Sequence, residues 1–423
     1  MTQQRGRRVA LAATVTLAAA LTLAACSGTP SSPATPGASG PAGTGDRADL
    51  VIWTNNAVAP VLDKAAQEFA KRNGITVSVQ GVSNLPGDFI TADDAGFGPD
   101  VVVGPNDWVG NLVQNGSISP IVLTADQRAS FEPVALDAVG YGGQTYGVPY
   151  AFESAVLFRN TSMAPKAPST FEDLVATGED VVASGAAERV LSLQVGQQGD
   201  AYSMQALYSS AGGYLFGTNE DGSSNADDLG VGGAGSVAFA QKLHQYGEKG
   251  NGVFTRSVTV DNAIGLFAEG KAPYLISGPW ALPTIRTAGV SYAIDPIPGF
   301  ADGGPARPFV GVQAFYVAAH GASNAFAQEF VTGFATTDEV QRALYGVDPR
   351  PPASRAVLAE VSAKDSDTAR IAAAAAAGIP LPGVPRMASV WEPLGRAEAA
   401  VIAGEDPATT MKKAGEAIAS KGK

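Results

Sequence analysis

Apolar residues Val61, Leu62, Ala65, Ala66 and Phe69 fall on one face at helical spacing and predict an amphipathic helix over residues 58–73. Gly74 supplies its left-handed stop. Residues 50–53 (Leu-Val-Ile-Trp) form a short, wholly apolar run, and residues 75–79 alternate apolar and polar. Both predict strands, with Trp53 in the core. Strand, helix and strand in that order require a crossover and a parallel sheet. Residues 99–103 predict a third strand, buried on both faces, that runs into Gly104-Pro105-Asn106-Asp107-Trp108. Asn106 or Asp107 can cap the next helix, which ends at Asn115-Gly116. Ligands of open α/β sheets are met at the carboxyl ends of strands, so Asp107 and Trp108 are candidate ligand residues.

Residues 146–160 hold a single acid, Glu153, between strand-like apolar stretches. A carboxylate in that setting is costly without a partner or a wet cleft, which makes Glu153 a candidate as well. Ser169 or Thr170 starts a further helix. Helices are predicted over 202–210, 237–246 and 261–269, and a strand over 272–276. Ser277-Gly278-Pro279-Trp280 then offers an N-cap, a close-approach glycine, a proline at the first helical position and an aromatic in the first turn. Trp280 thus stands at a strand's carboxyl end, as Trp108 does. Residues 309–313 and 315–319 return the chain to a sheet, and helices follow at 325–335 and after Thr337. Residues 349–352 (Pro-Arg-Pro-Pro) form a rigid turn, the alanine run 372–377 is helical, and residues 385–392 precede a final Ala-rich helix.

The N-terminus has another character. Arg5, Arg7 and Arg8 precede an apolar run over 9–25 that is short for a membrane span and ends at the chain's single cysteine, Cys26. A basic start, an apolar stretch and small residues before the cut make a secretory signal, exported by the general or the twin-arginine route. Leu23-Ala24-Ala25-Cys26 resembles the bacterial lipobox, in which the cysteine is acylated and becomes the mature N-terminus. Residues 27–48 are almost only Ser, Gly, Thr, Pro and Ala and are expected to be a flexible tether. The remaining body of about 375 residues is long enough for two lobes.

Composition removes several chemistries. One cysteine excludes an intramolecular disulfide and a Cys-rich metal site. Cleavage before Cys26 removes three arginines and moves the formal charge from −12 to −15, with no basic run, so no nucleic acid is expected as a partner. No nucleophile elbow or phosphate loop is present. Of the two histidines, His244 lies on a predicted helix and His320 at a strand end or loop. No metal, cofactor or catalytic residue is assigned.

The blocks at 50–53, 98–102 (Gly-Pro-Asp-Val-Val), 212–214 (Gly-Gly-Tyr), 278–280 (Gly-Pro-Trp), 308–312 (Pro-Phe-Val-Gly-Val) and 385–391 (Pro-Arg-Met-Ala-Ser-Val-Trp) are collinear over the body. In this order they resemble the maltose-binding branch of the extracellular solute-binding proteins that serve ABC importers. The stretch 147–160 is similar to that family's signature, except that Phe158-Arg159-Asn160 replaces its usual Tyr-Asn. The resemblance implies an α/β, two-lobe periplasmic-binding-protein fold of type II, with a ligand cleft between the lobes. It implies an N-terminal lobe from 49–152 plus 313–360 and a C-terminal lobe from 153–312 plus 361–423, behind a signal at 1–25 and a linker at 26–48. Asp107, Glu153, Tyr202, Trp280 and Trp391 match family positions that touch sugar. Four departures stand out. Ala57 and Val58 replace an Asp-Lys pair, Gly104 a cleft tryptophan, Trp108 an arginine and Glu392 a stacking tyrosine.

A pyranose presents an apolar C–H face and a rim of hydroxyls, so it suits aromatic plates flanked by carboxylates. Trp108, Tyr202, Trp280 and Trp391 are the plates; Asp107, Glu153 and Glu392 are the acceptors, although Glu392 and Arg396 also have the spacing of a surface ion pair. The expected protein is a monomeric lipoprotein on the outer face of the cell membrane. It would bind an α-linked oligosaccharide of the maltose or maltodextrin kind and deliver it to the transmembrane subunits of an ABC permease, with no enzyme activity. The alternatives are a binding protein for trehalose, another oligosaccharide or a polyol, or a secreted glycosidase using Asp107 and Glu153. An amino-acid ligand would call for an arginine. Arg350 or Arg355 could provide one only if the turn at 349–355 reaches the cleft.

Overall fold

The computed structural model of the chain describes residues 47–219 and 223–421. The signal at 1–25, the acylation candidate Cys26 and the linker as far as residue 46 lie outside the described residues. Arg47, inside the predicted tether, is already fixed: its Nη2 donates to Asp100 at 3.0 Å. The buried Asp100 carboxylate also accepts from the backbone N–H groups of Val51 and Ser323, both at 2.8 Å. The body therefore begins at a charged, multiply bonded anchor.

Two α/β lobes are built on two sheets. In the first, Leu50–Thr54 pairs in parallel with Val77–Gly81 and with Val101–Pro105. Helix Ala59–Asn73 makes the crossover, ended by Gly74 at φ 64°. The second strand starts two residues later than its alternation suggests, because the turn at Gly74 takes up Ile75, whose N–H still bonds Ala70. The long strand Phe309–Ala318 runs antiparallel to both Val101–Pro105 and Gly147–Ser154. Its pairing with the latter shifts by one residue between Gln313 and Ala314, which is why the sequence there reads as two apolar runs. The core of this sheet takes residues from Leu50 to Phe152 and from Val310 to Ala353, with Ala375 added. Trp53 packs against it only in part, and its Nε1 donates to Gln80 at 3.0 Å. Trp53, expected in the core, lies at its edge: its strand sits beside the half-covered Val77–Gly81, and the indole reaches that strand's Gln80.

The second sheet has Val156–Asn160 at its centre, antiparallel to Tyr274–Ser277 and Tyr292–Asp295. Period-two alternation separates two cores. Leu157, Tyr274 and Ile276 face one that includes Phe171, Phe239, Leu394 and Ile418. Val156, Phe158, Leu275 and Ile294 face the other, with Phe267, Leu282, Ile285 and Ile371. Arg159, a departure from the family signature, is buried and ion-pairs across strands with Asp295 at 2.7 Å. It is part of the scaffold. The chain passes from one sheet to the other at Ala155, beside the Val310–Ser154 pairing. Glu153 lies at this crossing. Among the described residues no helix is long and apolar enough to cross a membrane.

Candidate functional site

Asp107 and Trp108 occupy a short 3-10 turn, Asn106–Trp108, at the carboxyl end of Val101–Pro105. Neither Asn106 nor Asp107 caps the following helix through its side chain, contrary to expectation. Asn106 is needed elsewhere: fully buried, it donates to the Leu381 carbonyl at 3.0 Å and accepts from the Val312 N–H at 2.9 Å. It therefore ties the turn to the long strand and to the segment before the last helices. Asp107 points into the site. Its Oδ2 accepts from Trp391 Nε1 at 3.1 Å, and its Oδ1 is buried with no partner among the described residues. Burial pushes this carboxyl up to about 6; the Trp391 bond works against the rise and the Glu153 charge adds to it.

Gly104 and Trp108 are physically coupled. A Cβ on Gly104 would lie 2.0 Å from the Trp108 ring, so the indole uses the space a side chain at 104 would take. The glycine at 104 and the seating of the tryptophan at 108 thus depend on each other. The same device recurs in the other lobe, where a Cβ on Gly278 would come within 2.1 Å of the Trp280 ring.

Glu153 is the penultimate residue of the strand Gly147–Ser154 and lies opposite Gly311, which has no side chain to cover it. It is buried and paired with Arg350, whose Nη1 in turn bonds Asp348. The Tyr150 hydroxyl donates to the second Asp348 oxygen at 3.5 Å. The Arg350 guanidinium carbon stands 5.8 Å from the centre of the Trp280 ring. Burial opposes the charge on Arg350, but Glu153 and Asp348 more than offset it and keep the group protonated. The proline-rich turn does reach the site, through Arg350. Arg355 stays at the surface, 3.8 Å from Glu132.

Tyr202 lies in helix Ala201–Ser210, capped by Asp200 through Ser203 N–H at 2.9 Å. Its ring centre is 6.1 Å from Trp280 and 6.0 Å from Phe309, and Phe309 is 6.1 Å from Trp391. Four rings thus form a continuous wall. The Tyr202 hydroxyl is buried without a partner among the described residues, and burial, reinforced by the Glu153 charge, raises its pKa well above the usual phenol range. The structure therefore brings Asp107, Glu153, Tyr202, Trp280 and Trp391 together, with Trp108 on the same turn as Asp107. It does not bring Glu392 in. That side chain is mostly exposed and pairs with Arg396 at 3.2 Å and Lys421 at 3.6 Å. Adjacent residues on a helix point about 100° apart, so with Trp391 turned inward Glu392 faces out. Phe309 and Asp348 are not among the expected site residues; Arg350 is expected there only if its turn reaches the cleft, and it does. The one available signal was a charged Asp-x-Arg inside a proline turn, where solvated loop residues would serve as well.

His320 sits in the turn after the long strand, its Nδ1 2.8 Å from the buried Asp93 carboxylate, which raises the imidazole's affinity for a proton. His244 is half-buried on helix Ala234–Tyr246.

Residues 64–375 match the family described as bacterial extracellular solute-binding protein. The galactooligosaccharide-binding protein of Bacillus subtilis (strain 168) is 27% identical over 87% of this chain and 88% of its own length. The maltodextrin-binding protein MdxE of the same organism is 26% identical over 83% and 84%. A maltooligosaccharide ABC transporter solute-binding lipoprotein of Streptococcus pneumoniae (strain ATCC BAA-255 / R6) is 26% identical over 87% of both chains. With its two α/β lobes and the wall of aromatic rings and carboxylates, this chain belongs to the bacterial extracellular solute-binding proteins.

Proposed function

We propose that the chain captures a neutral oligosaccharide and hands it to the membrane subunits of an ABC importer. The observation that carries this reading is a pair of buried, unpartnered polar atoms, Asp107 Oδ1 and the Tyr202 hydroxyl, set beside four aromatic rings. Burying an acceptor and a donor without partners costs about 1–3 kcal/mol each. A sugar hydroxyl can serve both, while its C–H face lies on Trp280, Tyr202 or Trp391. Glu153, paired with Arg350, is a further acceptor. The preferred ligand is an α-linked oligosaccharide of the maltodextrin kind. The relative that binds galactooligosaccharides makes those the second reading; trehalose and polyols follow.

In this account the lobes comprise 49–152 with 313–360 and 153–312 with 361–423. A ligand touching both favours a closed arrangement. Cys26 carries the lipid anchor, residues 27–46 the tether, and the monomer works outside the cytoplasm against the cell membrane. No catalysis is assigned. Glu153 is neutralised by an arginine and Asp107 is held by an indole, so neither is placed as a glycosidase's free acid or base. Calorimetry with maltotriose, galactotriose, trehalose and sorbitol tests the reading. Saturable binding of an oligosaccharide, lost in Trp280→Ala, is the expected result; binding of sorbitol alone would refute it.

A further inference from the structure

We infer that Arg350 is a positioning and specificity-determining residue, which makes the turn around it a third wall of the binding site. The inference rests on the saccharide reading above for its ligand and on geometry for the rest. Three observations converge. Arg350 is inserted from a proline-framed turn, with Pro349 and Pro351 on either side, so its backbone is fixed before the side chain is placed. Its Nε holds Glu153 while its Nη1 holds Asp348, so the fork is oriented at both ends. Its guanidinium lies over the Trp280 ring at 5.8 Å. One side chain thereby sets the direction of the Glu153 carboxylate and stands on the plate on which a sugar ring would lie.

The charge pattern gives the ligand class. Groups facing Glu153 are Arg350 and Asp348 from the turn, Asp107 from the Asn106–Trp108 turn, Tyr150 from its own strand and Tyr202 from the helix Ala201–Ser210. The cation among them is already bracketed by two carboxylates. An acidic saccharide would add a fourth negative group, whereas a neutral one only donates hydroxyls. Arg350 is therefore a fixture that spaces and balances two carboxylates, and not a counter-ion awaiting an anionic ligand.

The test compares wild type with Arg350→Met, Arg350→Lys, Glu153→Gln and the double variant Arg350→Met/Glu153→Gln. Calorimetry uses maltotriose, galactotriose and a glucuronate disaccharide. Tryptophan emission of the ligand-free proteins is recorded alongside, with Trp280→Phe assigning the signal. The expected result is a loss of at least tenfold in neutral-saccharide affinity in Arg350→Met. Arg350→Lys should recover part of it, because charge returns without the two-ended fork. The double variant should melt above Arg350→Met alone, because an unpaired buried carboxylate has been removed with its partner. Emission should shift in Arg350→Met and not in Arg350→Met/Trp280→Phe. Wild-type affinity for the glucuronate would overturn the specificity claim. Unchanged emission and unchanged affinity in a folded Arg350→Met would overturn the positioning claim. Should wild type bind no saccharide, the saccharide reading fails by itself, while the emission and melting comparisons still decide the role of Arg350.

Discussion

Lowering the pH from 7 to 5 should weaken ligand binding about tenfold, and Asp107 should be the cause. The free carboxyl titrates at about 6, against 3.8 for an unperturbed aspartate, because burial disfavours its charge. A ligand hydroxyl donating to Oδ1 favours the ionised form, so affinity follows the ionised fraction. That fraction is about nine-tenths at pH 7 and about one-tenth at pH 5, a change of about 1.4 kcal/mol in binding. Binding near pH 6 should also release protons, seen as a dependence of calorimetric heat on the buffer's ionisation enthalpy. Stability moves in the opposite sense. A folded-state value above the unfolded one contributes stability that is complete below 3.8 and lost as pH rises through about 6. The ionised group at neutral pH therefore costs about 3 kcal/mol. Asp107→Asn keeps an acceptor for Trp391 and should raise the melting temperature at pH 7 while it flattens the pH dependence of binding. A flat affinity between pH 5 and 7 in wild type, or an undiminished slope in Asp107→Asn, would refute the reasoning.

Gly104→Ala should evict the Trp108 indole and reduce ligand affinity about tenfold, in line with about 1–1.5 kcal/mol for an aromatic contact; unaltered affinity in the folded variant would remove Trp108 from the site. Asn106→Ala should cost about 2–3 kcal/mol in urea unfolding, because it leaves the Leu381 carbonyl and the Val312 N–H without their partner. Glu398 has both carboxyl oxygens buried without partners among the described residues, and burial, then the Asp200 charge, raises it well above its ordinary value. Its contribution to stability is complete below the unfolded value near 4.5 and is lost as pH rises through the folded one, so Glu398→Gln should raise the melting temperature more at pH 8 than at pH 4. An equal effect at both pH values would contradict this.

The alternation of buried and exposed positions carried most of the architecture. The β-α-β start, the glycine stop at 74 and the strand into Asn106-Asp107-Trp108 follow from local pattern, because each element buries one periodic face. Trp280 was legible for the same reason, as an aromatic one turn beyond a buried strand. What local pattern misses is what distant segments supply. Arg350 is 197 residues from Glu153, and in sequence it is only a charged residue in a turn. Trp391 and Asp107 are 284 residues apart. Asn106 looked like a helix cap because its identity suits one, but two buried backbone groups from other segments claim its amide. Glu392 had suitable chemistry and the wrong azimuth, which only the seated helix shows.

The most direct test is a titration of the body from Arg47 to Lys423 with maltotriose and galactotriose, wild type beside Trp280→Ala. Binding to the folded state alone stabilises it by about 2.7 kcal/mol at a hundred times the dissociation constant, a melting shift of several degrees. The account predicts such a shift with one of these oligosaccharides in wild type and none in Trp280→Ala. A shift of equal size in Trp280→Ala, or no shift with any oligosaccharide beside a clear one with a non-sugar solute, would contradict it.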